Sequence, residues 1–160
     1  MAVEKRDPRG QGDQGELSAI VWLREQGYPV FVPLTHAPDY DLVTDFGEGA
    51  AVRVQVKTST CFRLGRWEVS VCTRGGNRSW SGMVKRLDPG RYDWLFIHVG
   101  DGRRWFIPSA DVPGGCGISV GGPKYAAFEI ESGAPLRRER PSVHSAPPRR
   151  DTRAVKGTAL

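Results

Sequence analysis

Residues 41–58, DLVTDFGEGAAVRVQVKT, limit the fold more than any other stretch. Two runs with apolar residues at alternate positions flank Gly47, Glu48 and Gly49. Short hairpin loops favour glycine where the backbone needs positive φ. With GEG as the loop, Leu42 faces Val54, Thr44 faces Val52 and Phe46 faces Ala50. All six fall on one side, and Val56 extends the row. On the other side Asp45 faces Ala51, Val43 faces Arg53 and Asp41 faces Gln55. A slip by one residue would split the apolar rows between the two faces, so this register is strongly specified.

The register brings Asp41 and Gln55 together, with Cβ atoms about 4.5–5.5 Å apart. Lys57 follows on the same face, about 7 Å along the strand. A carboxylate, an amide and an ammonium therefore converge on a face that the core does not need. An ion pair on a solvated sheet would account for them and contribute roughly 0–1 kcal/mol. A site that holds a cation beside an anionic ligand would account for them too. Charge is distributed in the second sense. Residues 1–52 hold 4 basic and 9 acidic groups, and residues 53–92 hold 9 basic and 2 acidic ones. The net charge of +5 comes from the last segment, where residues 133–160 carry seven basic side chains against two acidic ones.

Residues 13–26, DQGELSAIVWLREQ, read as a helix, with Leu17, Ile20 and Val21 on one stripe, Leu23 nearby, Asp13 as N-cap and Gly27 as the stop. Strands are predicted at 28–34, 41–46, 50–58, 66–72, 93–99, 103–108 and 125–130. DWLFIHV (93–99) is almost continuously apolar, as in a strand covered on both faces. Trp22, Trp67, Trp94 and Trp105 are expected in the core or at subunit contacts. The 160 residues suit one domain. It spans 13–132, after a flexible arm at 1–12 and before a disordered basic tail at 133–160 that is rich in Arg, Pro, Ala and Ser. No stretch approaches the roughly 20 apolar residues of a membrane span. With no signal-peptide core at the start, a cytoplasmic chain is expected. Cys61, Cys72 and Cys116 contain no C-x-x-C pair and are expected as reduced thiols.

PDYDLV followed by RVQVKT resembles the PD-(D/E)xK nuclease superfamily, and most closely its group I intron-associated branch, in which glutamine replaces the acid before x-Lys. The likeness runs back through GDQGELSAIVWLREQGYPVFVP and forward through Asn77 and Arg78, YDWLFIHV and RRWFIPSADV, covering about residues 12–112. It implies a restriction-endonuclease-like α/β core, a mixed sheet flanked by helices. It also implies a metal-dependent DNA endonuclease, homing-endonuclease-like, that hydrolyses phosphodiester bonds. Asp41 is then the main metal ligand, Gln55 stands at the second acid's position, and Lys57 is the catalytic lysine. Glu16 is the helical acid that completes the site, and the Val56 carbonyl is a further ligand. For Glu16 a capping box with Asp13 is the competing role.

Magnesium takes hard oxygen ligands and keeps several waters, so one or two carboxylates suffice, and manganese can substitute. Gln55 brings no charge, which also fits a fold that binds nucleic acid but cuts weakly or not at all. A Holliday-junction-resolvase-like or RNA-directed nuclease would use the same residues, whereas a protein–protein adaptor would leave them without purpose. The expected nucleic-acid contacts are Thr58, Ser59, Arg63, Arg74, Asn77, Arg78, Lys85 and Arg86, with Arg66 and Arg91 in the same basic stretch and Trp80 and Tyr92 as stacking candidates. A solvated loop with incidental charges is the plainer account of that stretch. The partner expected is double-stranded DNA. One site cuts one strand, so cutting both favours a homo-oligomer.

Overall fold

The alternating stretch does fold as a hairpin. The computed structural model describes residues 8–35, 37, 39–74, 84–85 and 87–136. Along them run α1 (Pro8–Glu25), β1 (Val30–Phe31), β2 (Leu42–Thr44), β3 (Val52–Ser59), β4 (Phe62–Arg63), β5 (Arg66–Ser70), β6 (Thr73–Arg74), β7 (Val84–Lys85), β8 (Trp94–Val99), β9 (Arg104–Pro108), β10 (Gly117–Val120) and β11 (Glu129–Ile130). Short 3-10 helices occupy Ser109–Asp111 and Pro123–Phe128.

β2 and β3 pair antiparallel in the expected register, Leu42 with Val54, Val43 with Arg53 and Thr44 with Val52. Pairing stops earlier than the sequence suggests, and residues 45–51 form the turn. The Asp45 carboxylate organises it by accepting the amides of Gly47, Glu48 and Gly49 at 2.8, 3.0 and 3.2 Å. Gly47 and Gly49 sit at φ 99° and 71°, where side chains are disfavoured.

The main sheet has the order β1-β2-β3-β8-β9-β11, and β3 pairs parallel with β8. Its even-numbered face, with Leu42, Val54, Val56, Phe96 and Phe106, packs on Ala19, Trp22 and Leu23 of α1. The other face, with Leu95, Ile97 and Val99, packs on Val69, Ile118 and Val120 of a second sheet of order β10-β5-β4. Gln55, Lys57 and Ser59 are the register partners of Leu95, Ile97 and Val99, so they share that second face.

The helix differs from expectation at two points. It starts at Pro8, so residues 8–12 are helical rather than part of an arm, and Asp13 and Glu16 lie inside it. Asp13 is therefore not the N-cap, and the capping box does not form. The buried stripe is Gly15, Ala19, Trp22 and Leu23, while Leu17 and Val21 are exposed. Small residues let the helix lie close on β3: a Cβ at Gly15 would run into the Thr58 methyl, with Val56 at 3.3 Å. Gly27, at φ 86°, ends the helix as expected, with the Tyr28 amide bonding back to Leu23.

Three further expectations are corrected. Residues 123–128 form a 3-10 helix entered through Pro123, and only Glu129 and Ile130 pair as a strand. Cys72 and Cys116 are joined as a disulfide, because the β5–β10 pairing brings chain ends 44 residues apart to a Cα separation of 4.7 Å. Cys61 is the free, exposed thiol. Residues 133–136 belong to the packed body: the Gly133 amide bonds the Gly102 carbonyl, His98 bonds the Ala134 carbonyl, and Leu136 is buried. Residues 1–7 of the expected arm and 137–160 of the expected tail lie outside the described residues. Among the described residues no helix is long and apolar enough to cross a membrane.

Candidate active site

β2 stops one residue short of Asp41, and this builds the site. The Asp41 amide still bonds the Val54 carbonyl at 2.9 Å. Beyond that point β3 has no strand on its β2 side. The Asp41 carboxylate fills the gap, with Oδ2 accepting the Val56 amide at 2.7 Å and the Gln55 side-chain amide at 2.5 Å. Backbone groups of Val54 and Val56 point to the same side of the strand. The Val56 carbonyl therefore faces this corner too, with Gln55 Nε2 at 3.4 Å.

Glu16 enters from α1. With Asp41 and the segment Val32–Thr35 it lines a pocket of about 190 Å³. Burial, and then the charges of Asp41 and Asp13, push the Glu16 carboxyl above its ordinary value. Lys57 is half-buried on the Gln55 side. Burial pulls its ammonium below the usual lysine value, and the Asp41 carboxylate acts against that shift. Of the four side chains named from the resemblance, Gln55 bonds Asp41, Glu16 shares the pocket with Asp41, and Lys57 feels the Asp41 charge.

The donor set suits a hard cation. Two carboxylates that repel each other, a carboxamide and a backbone carbonyl are all oxygen donors, the kind magnesium takes. Among the described residues no cluster of three or more His, Cys, Asp or Glu forms.

Two ion pairs that sequence spacing does not reveal hold this corner in place. Asp39, two residues before Asp41, is buried and bonds Arg91 at 3.0 Å. Arg53 grips Asp93 with Nε and Nη2, both at 3.0 Å, and its amide bonds the same carboxylate at 2.7 Å. This clamp ties β3 to the start of β8. Such pairs are formed by tertiary contact and have no local spacing to reveal them.

The expected nucleic-acid contacts divide. Thr58 lies on the helix face and accepts a bond from Gln11 at 3.2 Å. Ser59 is buried, bonding the Glu68 carbonyl and the Cys61 amide. The Ser59 hydroxyl is thus engaged in the fold on both its donor and acceptor sides, while Thr58 is bonded as an acceptor. Arg91 serves Asp39, and Tyr92 is core, 1% exposed. Arg63 and Arg66 are exposed. Arg74 and Lys85 lie on the β6–β7 ribbon. Asn77, Arg78, Trp80 and Arg86 lie outside the described residues. Trp22 and Trp105 are buried, and Trp67 and Trp94 pack against the core clusters, as expected.

The sequence matches the family model described as PD-(D/E)XK endonuclease over residues 6–118. Among solved structures the chain is similar to the bacterial homing endonuclease I-Ssp6803I, at 22% identity and TM-score 0.64, over 77% of this chain and 88% of that one. It is also similar to Hjc, a Holliday junction resolvase from the archaeal hyperthermophile Archaeoglobus fulgidus, at 12% identity and TM-score 0.48, over 76% and 91%. No curated protein matches the sequence. The first of these likenesses is one of fold: a restriction-endonuclease-like mixed sheet with one main helix.

Proposed function

Since this chain belongs to the PD-(D/E)XK endonuclease family, we propose that it is a magnesium-dependent endonuclease acting on double-stranded DNA, homing-endonuclease-like. One observation carries the reading: the Asp41 carboxylate is held by Gln55 and the Val56 amide at the open edge of β3, with Glu16 across the pocket and Lys57 beside it. Asp41, Glu16, Gln55 and the Val56 carbonyl would hold the ion, with manganese as a substitute. When bound, the ion supplies charge neutralisation at the phosphate and acidifies water.

The chain's own groups do the rest. The Gln55 and Val56 donors fix the Asp41 carboxylate, so no reorganisation is needed when substrate arrives. Lys57 lies within electrostatic reach of Asp41, and its ammonium would bond a non-bridging phosphate oxygen, where charge grows as the phosphorus is attacked. Its half-burial strengthens that interaction, because less water competes for it.

Plasmid nicking in magnesium is the test. Wild type is expected to nick, Asp41→Ala to fall to background, and Lys57→Ala to lose about 10²–10³-fold in rate. Equal residual nicking by all three removes the enzyme reading. A second reading, a binding module of the same fold with weak or no turnover, draws on the neutral Gln55; DNA binding without Asp41-dependent nicking would select it. Cutting both strands requires two sites. We assign the second to another copy of the chain, supported by the apolar side chains exposed on α1 (Leu17 and Val21), on the edge strand β1 (Phe31) and just after it (Val32). Cytoplasmic location stays part of this proposal.

A further inference from the structure

The tip of the β4–β5 hairpin breaks two local rules. Its two turn residues, Leu64 and Gly65, have φ of 50° and 76°. Such a turn favours Asn, Asp or Gly at both places. Leu64 is the sole non-glycine at positive φ among the described residues, and it is 92% exposed. Arg63 and Arg66 are direct cross-strand partners, and like charges in that relation repel. Neither has an acidic partner among the described residues. Phe62, 57% exposed, packs its ring on Trp67 at 4.9 Å and so stiffens the base of the hairpin. A hairpin that only had to turn would carry Asn at the tip and opposite charges across it.

Its position supplies the reason. The second sheet, to which the hairpin belongs, covers the face of the main sheet that carries Gln55 and Lys57. From Lys57 to Arg63 the chain spans at most about 20 Å, even fully extended. At 3.4 Å per nucleotide along a strand, that is about six base pairs. A two-stranded ribbon fits the major groove of a duplex. We propose that the β4–β5 hairpin is a groove-reading ribbon, entering the major groove beside the cleaved phosphate. Arg63 and Arg66 bond phosphates flanking the groove, and Leu64 packs on base edges such as thymine methyls. The inference takes duplex DNA as the ligand from the nuclease reading.

Salt-dependent binding of a fluorescent mixed-sequence duplex tests it, alongside wild-type nicking. The double variant Arg63→Ala/Arg66→Ala is expected to flatten the slope of log affinity against log salt by about 2. Leu64→Asn suits positive φ, so it is expected to keep the melting temperature while losing about tenfold in affinity. Wild-type slope in the double variant together with wild-type affinity in Leu64→Asn overturns the inference. If wild type nicks and both titrations are unchanged, the hairpin role falls while the nuclease stands. If wild type does not nick but the titrations change as expected, the nuclease falls and the hairpin stands.

Discussion

At position 55 an amide supplies an oxygen without a charge, and its NH₂ group is spent on holding Asp41. Gln55→Glu would exchange that hydrogen bond for a second negative charge at a site only 7% exposed. Without metal the variant should be less stable by about 1–3 kcal/mol, the cost of an unsatisfied buried acceptor. With magnesium it should recover, and bind the ion more tightly than wild type; thermal melts across a magnesium titration measure both. Glu16 gives a pH signature. Its carboxyl is raised by burial, Asp41 and Asp13, so the folded chain binds this proton more readily than the unfolded chain. The stability it contributes is complete below the ordinary glutamate range and is lost as pH rises through the raised value. Glu16→Gln should therefore melt above wild type at neutral pH, the difference closing near pH 4 or so, while the variant's nicking falls. Asp41, Gln55 and Lys57 could be placed together from the letters because strand period fixes which residues share a face. The Arg91–Asp39 pair could not, since the two are 52 positions apart and meet only in the folded chain.

Elements meet here through small residues as much as large ones. The stripe Leu17, Ile20 and Val21 ranks as the more apolar, yet α1 turns Gly15 and Ala19 inward because close approach to β3 gains more contact than bulk would. Gly15→Ala separates the two effects. Helix propensity alone would stabilise by about 1 kcal/mol. The collision with Thr58 and Val56 should outweigh it, for a net loss of about 1–3 kcal/mol in urea unfolding. Strands with clean alternation or continuous apolar runs, such as β3, β5 and β8, could be read from the sequence. β10 could not: GISV follows a glycine-rich turn, and its place is set by pairing with β5 and by the Cys72–Cys116 bond.

For the molecule as a whole, the outer side of α1 is the surface on which the proposed pairing of two copies is tested. Leu17 is 62% exposed and Val21 52%, and β1 ends the main sheet beside them. Leu17→Lys with Val21→Lys should shift the sedimentation coefficient to that of a monomer and leave nicking of single strands in place while double-strand cutting is lost. An unchanged coefficient would place the contact elsewhere. The parallel β3–β8 pairing has a consequence of another kind. The Asp41–Gln55 corner sits on a strand whose other neighbour comes only after residues 60–93 have been made. Parallel pairings across such a separation are slow to close. A nascent chain on the ribosome thus exposes Asp41, Gln55 and Lys57 well before β8, at Trp94–Val99, arrives to brace the strand that carries two of them.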